Sequence, residues 1–234
     1  MLTMLLDIIM PSRCVGCGRP VSSRQNHLCR TCSVRIPFLS DTCPVCSGLL
    51  ENGACRTCAD RHWYFTKNLT VAEYSGIARE IIRRLKFKKI RGLHIILAAI
   101  AKKKLDGHEF RADIITWVPM NARKKWARGF NQSELIAKKL SKLTGIPCRP
   151  LLREKRGTET QRELGIRDRF INALNRYHAV PNKFIRGRSI LLVDDVYTTG
   201  ATINECARQL LSAGVRDVFS LTIARADVKR LEKF

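Results

Sequence analysis

Two groups of residues in this chain have types and spacings that could do chemistry. The first is Asp194 and Asp195, which follow the apolar run Ile190-Leu-Leu-Val193 and precede Val196-Tyr-Thr-Thr-Gly-Ala-Thr202. Adjacent carboxylates accept hydrogen bonds from vicinal hydroxyls. Thr198, Thr199, Gly200, Ala201 and Thr202 then supply hydroxyls and unpaired backbone N–H groups where a helix begins, a place that attracts an anion. Together these residues make a sugar-phosphate cradle, with phosphate at the hydroxyl-rich turn and sugar hydroxyls on the aspartates. The competing reading is a generic strand-to-helix turn with incidental acids, as found at magnesium sites of many α/β proteins.

The second group is cysteine. Cys14/Cys17, Cys29/Cys32, Cys43/Cys46 and Cys55/Cys58 form four C-x-x-C pairs. Each pair brings two thiolates to one side of a tight knuckle, and two knuckles complete a closed tetrahedral sulfur site of the structural zinc kind. Gly16, Gly18, Pro44, Gly48 and Gly53 supply the turns. So little apolar surface can be buried here that the fold depends on metal. Disulfides are the alternative. Met1 to Met10 is apolar but short, carries Asp7, and lacks a basic start or a small-residue cleavage site, so no secretory signal is expected and the thiols stay reduced in a cytoplasmic setting. Sequential use of the pairs gives a double zinc ribbon, and interleaved use gives a cross-braced module. Short spacers favour the first. His27 and His62 could substitute as ligands, while Cys148 and Cys206 fall outside, Cys206 as a core residue.

The elements that position these groups can be read from hydrophobic periodicity. The continuous run Ile190 to Val193 suits a strand buried on both faces of a parallel sheet, which puts the two aspartates at its carboxyl end, where open α/β sheets take ligands. Ile203, Cys206, Ala207, Leu210 and Leu211 recur at helical spacing up to Gly214, and Val215 to Ala224 returns as a strand. Further upstream, strands are predicted over Leu69 to Tyr74 and Asp113 to Val118. Helices are predicted over Ile77 to Phe87, His94 to Leu105 and Ser133 to Leu143. Alternating strands and helices imply an α/β domain with a parallel sheet. A boundary near Asp60 to Thr66 divides the chain into a cysteine-rich part, 1–62, and a larger body, 63–234.

The hydrophobic run, acidic pair and T-T-G-A-T turn resemble the phosphoribosyl pyrophosphate (PRPP) motif of type I phosphoribosyltransferases. That resemblance implies that Asp194 and Asp195 hold the ribose hydroxyls, serving as the catalytic residues of any transfer. It also implies that the stretch from Val196 and Tyr197 through Thr202 surrounds the 5′-phosphate. Trp117-Val-Pro-Met120, Arg128-Gly-Phe-Asn-Gln-Ser-Glu134 and Thr158, Gln161, Leu164, Arg169 and Asn172 together resemble the competence-protein family called ComF, from Pro11 to about Ala226. Its members join a cysteine-knuckle head to a phosphoribosyltransferase-like body. By this resemblance Pro119 and Met120 belong to a pyrophosphate loop, with Met120 in place of an expected valine or leucine. Residues from about Arg153 to Asn172 form a loop that closes over ligand. Arg153, Lys155, Arg156, Arg162, Arg167 and Arg169 around Gly157 give that loop the charge a pyrophosphate leaving group needs. Arg128, Asn131 and Gln132 either touch ligand or cap the next helix. Mg2+ is expected with PRPP, and structural Zn2+ with the cysteines.

Charge points to partners. The formal charge is +23, of which residues 1–62 carry +3 and residues 63–234 carry +20. Arg79, Arg83, Arg84, Lys86, Lys88, Lys89 and Arg91 form the densest part, with Lys102 to Lys104 and Arg123 to Lys125 adding to it. Phe87, Trp126 and Phe130 lie among them as surfaces for stacking bases. A surface of this kind collects polyanions. The resemblance implies cytoplasmic handling of incoming single-stranded DNA, with helicase or recombination proteins as partners and PRPP or a nucleotide phosphate as ligand. The alternative is a phosphoribosyltransferase for a base or amine acceptor. Glutamine-dependent chemistry is not expected, because position 2 is Leu2 and not the cysteine that an amino-terminal glutaminase uses. No run is long enough for a membrane span.

Overall fold

The computed structural model describes residues 13–21, 27–59, 61–109, 111–155 and 166–226, with 56, 59 and 166–169 described by backbone alone. Six strands are found among them: β1 (Lys67–Glu73), β2 (Ile114–Trp117), β3 (Leu152–Glu154), β4 (Tyr177–Ala179), β5 (Ser189–Tyr197) and β6 (Asp217–Arg225). The helices are α1 (Arg30–Ser33), α2 (Arg56–Ala59), α3 (Gly76–Phe87), α4 (Leu93–Asp106), α5 (Ala122–Arg128), α6 (Gln132–Thr144), α7 (Ile166–Ala173) and α8 (Ala201–Ser212). The main sheet runs β1-β6-β5-β2, parallel throughout, and β3 and β4 pair antiparallel beside it.

β5 is buried on both faces, as its unbroken apolar run requires. Leu191 and Val193 face α3, α4 and α6 through Ile81, Leu97, Ile136 and Leu140. Ile190 and Leu192 face α8 through Ile203, Cys206 and Leu210. The period-two alternation of the strand thus divides the core into two layers. β5 does not stop at Val193 as expected. It continues through both aspartates to Tyr197, because β6 stays paired with it as far as Arg225. On its other side β2 ends at Trp117, opposite Val193. The carboxylates therefore stand beyond the end of β2, where one flank of the strand is open.

The cysteine-rich segment covers the outer edge of the sheet. Leu39 N–H donates to Val71 O (3.0 Å), Glu73 N–H to Pro37 O (2.8 Å), and Asn68 N–H to Val45 O (2.7 Å). These bonds occupy the edge of β1 that would otherwise template pairing with another chain. Behind them lies a buried polar network. Ser47 Oγ donates to Asn68 O (2.6 Å), Asn68 Nδ2 to Cys46 O (3.2 Å) and Ser220 Oγ to Asn68 Oδ1 (2.9 Å). With each of these polar groups partnered, burial costs little. Among the described residues no helix is long and apolar enough to cross a membrane.

Candidate ribose-phosphate crevice and zinc sites

The four knuckles pair sequentially. The sulfurs of Cys14, Cys17, Cys29 and Cys32 lie within 4.8 Å of one another, as do those of Cys43, Cys46, Cys55 and Cys58. A tetrahedron with Zn–S bonds of about 2.3 Å has sulfur edges of about 3.8 Å. The separations are 3.8 Å for Cys17–Cys29, 3.7 Å for Cys43–Cys58 and 3.6 Å for Cys46–Cys55. Both sites therefore fit structural Zn2+, as double zinc ribbons do. Neither His27 nor His62 belongs to a cluster. Gly16 lets the first knuckle close, since a Cβ there would lie 2.8 Å from Cys32 Sγ.

At the open flank of β5, each aspartate meets a different helix. Ser133 Oγ, in the first turn of α6, donates to Asp194 Oδ1 at 2.9 Å, and Asp195 N–H donates to the same oxygen at 2.9 Å. Lys86 Nζ, in the last turn of α3, stands 2.7 Å from Asp195 Oδ2. Burial, followed by the charge of Asp195, pushes the Asp194 carboxyl up to about 7. Two carboxylates this close resist ionising together unless a cation or a ligand hydroxyl joins them.

The turn after Tyr197 has the expected form. Gly200 is left-handed at φ 84° and begins α8 without a side-chain cap, so the N–H groups of the first turn point out of the helix end. Thr199 Oγ1 accepts from Ala201 N–H at 3.4 Å. Thr198 and Thr202 are half-buried beside it. What the sequence did not reveal is the segment that braces this turn. Arg61 Nη1 donates to Thr199 O (3.3 Å), Tyr64 N–H to Asn204 Oδ1 (2.7 Å) and Asn204 Nδ2 to His62 O (3.4 Å). Arg225 lies 4.6 Å over the Tyr197 ring and donates to Cys46 O at 2.9 Å. The second zinc site is thereby tied to the Thr198–Thr202 turn.

The 118–131 loop closes the other side. Asn131 caps α6 by accepting from Ser133 N–H (3.0 Å) and donates through Nδ2 to Val118 O (2.9 Å). Arg128 Nη1 donates to Gln132 Oε1 at 2.6 Å, and its guanidinium lies 5.8 Å over Phe87. Arg128, Asn131 and Gln132 thus make contacts that brace the start of α6. Pro119 and Met120 line a cavity of about 720 Å³ whose wall contains neither aspartate nor any residue of the Thr198–Thr202 turn. Of the three aromatics read as stacking surfaces, Phe130 is buried under Arg91, whereas Phe87 and Trp126 are 67% and 87% exposed. Arg156, Gly157, Thr158, Gln161, Arg162 and Leu164 lie outside the described residues, as do the side chains of Arg167 and Arg169.

Residues 5–60 match the Double zinc ribbon domain family. Competence protein F of Haemophilus influenzae is 30% identical over 223 residues, covering 92% of this chain and 97% of that protein. DNA utilization protein YhgH of Escherichia coli K12 is 30% identical over 224 residues, covering 90% and 96%. Competence protein ComFC of Bacillus subtilis is 25% identical over 218 residues, covering 91% and 84%. Among solved structures, a Bacillus subtilis glutamine PRPP amidotransferase superposes with TM-score 0.40 at 22% identity, covering 56% of this chain and 26% of that one. Adenine phosphoribosyltransferase of Thermoanaerobacter pseudethanolicus gives 0.38 at 16%, covering 59% and 83%.

Proposed function

Because the chain belongs to the ComF family of competence proteins, we propose that it handles single-stranded DNA entering the cytoplasm while holding a ribose phosphate in the crevice beside β5. One observation carries the ligand reading. A carboxylate pair stands at the open carboxyl edge of a parallel strand, and the hydroxyl-rich turn after that strand leads into a helix whose N-cap, Gly200, brings no side chain. Asp194 and Asp195 take the sugar hydroxyls. Thr198, Thr199 and Thr202, with the backbone N–H groups of α8, take the 5′-phosphate. Pro119, Met120 and Arg128 serve the pyrophosphate end. PRPP or a nucleotide phosphate is the ligand class.

Deoxyribose has no vicinal diol. The DNA strand and the crevice ligand are therefore different molecules at different places, and the ribose phosphate acts as a regulator of strand handling. The names competence protein F and DNA utilization protein YhgH, borne by relatives, support the role in DNA uptake. Helicase or recombination proteins would receive the strand. Oxygen donors such as Asp194 and Asp195 suit Mg2+, which when bound would offset the charge of a pyrophosphate ligand.

Calorimetry with PRPP and with ribose 5-phosphate tests the crevice. Heat with the wild type that is lost in Asp194→Asn/Asp195→Asn supports it, and no heat with either sugar sinks it. Pyrophosphate release from PRPP in the presence of bases or amines separates a transferase from a binding protein. Oligonucleotide affinity measured across salt tests the second half, since each neutralised phosphate contributes a log–log slope of about −0.7.

A further inference from the structure

α5 is a helix without a buried side. None of its seven residues, Ala122-Arg-Lys-Lys-Trp-Ala-Arg128, is buried, so no hydrophobic face holds it in place. It is fixed at its ends instead. Asn121 Oδ1 accepts from Arg123 N–H at 2.9 Å, and Gly129, left-handed at φ 83°, closes the last turn. Held in this way, the helix presents Trp126 at 87% exposure amid arginine and lysine. An indole this exposed on a cationic helix has no role in the chain's own packing.

Trp126 follows Ala122 by four residues and Arg123 by three, which sets all three on one flank of the helix. Ala122 and Arg123 both line the 720 Å³ cavity, and Trp126, outside that lining, is one helical turn further along the same flank. Arg123, Lys125, Lys138, Arg153 and Lys155 contribute to the cavity wall against two acids. One of those acids, Glu154, is already held by Arg176 at 2.6 Å. The other, Glu134, engages Lys125 at 2.9 Å and Lys138 at 2.7 Å. The wall keeps an excess of positive charge.

The geometry points to α5 and this cavity as the seat of single-stranded nucleic acid: unpaired bases lie on the Trp126 indole, and the adjoining phosphates enter the cavity toward Arg123 and Arg153. This rests on the strand-handling role proposed above and gives it a surface. A duplex hides its base faces, and an acidic protein segment brings carboxylates without a repeating flat ring. A bilayer surface could take both tryptophan and lysine, but its flat face cannot enter a concave wall. At the far end of α5, Arg128 lies over the exposed Phe87, beside Lys86 and Asp195. The cavity wall also holds Pro119 and Met120, so the strand's path meets the pyrophosphate end of the crevice while staying clear of the two aspartates and the Thr198–Thr202 turn.

The test is fluorescence anisotropy of a labelled oligothymidylate of about 20 nucleotides on the intact, zinc-loaded chain. Trp126→Ala, at a site too exposed to affect folding, should weaken binding about tenfold. Arg123→Ala/Arg153→Ala should flatten the log–log salt slope by about 1.4. If the wild type binds and both variants bind equally well, the seat is elsewhere, although the strand-handling reading stands. If the wild type does not bind at low salt, that reading fails as well. Phosphatidylglycerol vesicles are the third arm: loss of vesicle binding in Trp126→Ala with oligonucleotide binding intact would make the flank a membrane contact and overturn the proposal.

Discussion

Lys86 Nζ stands 2.7 Å from Asp195 Oδ2, joining the last turn of α3 to the open edge of β5, with both side chains largely buried. Removing one partner of such a pair leaves the other charge without compensation. Lys86→Met is expected to lower stability by about 3 kcal/mol. Lys86→Met/Asp195→Asn should recover part of that loss, because the uncompensated Asp195 charge is gone and Asp194 is the one carboxyl left at the site. Urea unfolding of the two variants checks it. A single variant as stable as the wild type would mean that water already shields Asp195.

Asp194 should make stability fall as pH rises. Its folded carboxyl titrates near 7, against about 3.9 in an unfolded chain, so the folded state binds the proton more tightly. The stabilisation is full below about pH 4 and is lost as pH rises to about 7. Asp194→Asn removes this dependence. The wild type should therefore lose ground to the variant between pH 4 and 8, by roughly 1–3 kcal/mol. Unfolding curves for both proteins at intervals across that range provide the measurement, and parallel curves would contradict it. A diol ligand prefers the ionised pair, so wild-type affinity for ribose 5-phosphate should rise over the same window.

The two zinc sites should differ in what they support. Cys46 is fully buried in the layer that also holds Tyr197, Ile203 and Cys206, whereas Cys17 is exposed. Cys17→Ser and Cys46→Ser should each cost about one equivalent of zinc. Cys46→Ser should lower Tm further, because the loosened knuckle also frees Arg225 from the Cys46 carbonyl and exposes the Asn68 network. Metal analysis alongside thermal unfolding decides this. Equal Tm losses would mean that the knuckles contribute alike.

Local signals made the crevice readable, and tertiary partners were not. Val193 through Thr202 forms one strand, turn and helix start, so residue types at fixed offsets carry the geometry. The sequential pairing of the knuckles depends on where the chain folds back, and spacing alone left two arrangements open. Lys86 was visible only as part of a cationic run. Its role arises because α3 buries Ile82 and Leu85 in the layer that also holds Val71 and Val193, and the residue after Leu85 then meets Asp195. β3 and β4 are three residues each, too short to show a period. α5 was missed because it is polar nearly all round, and Phe130 because composition does not distinguish a buried ring from one beside a cation.

Gly200 offers the sharpest test of the phosphate turn. It is left-handed at φ 84°, where a Cβ is strained, and that Cβ would run into the Tyr197 hydroxyl and lie 2.9 Å from Trp63 Cζ3. Tyr197 cannot yield, since it is fully buried beneath Arg225. Trp63 is held between Phe65 at 4.9 Å and Phe170 at 6.2 Å. Backbone strain of about 1–2 kcal/mol and overpacking of about 1–3 kcal/mol therefore add. Gly200→Ala should lower stability by roughly 2–5 kcal/mol. Relaxing that clash moves the first turn of α8, so ribose 5-phosphate affinity should drop at least tenfold. Oligonucleotide binding at α5 should change little. Calorimetry and anisotropy on one preparation separate the two, and a variant that keeps its sugar-phosphate affinity would show that the turn is not where the phosphate sits.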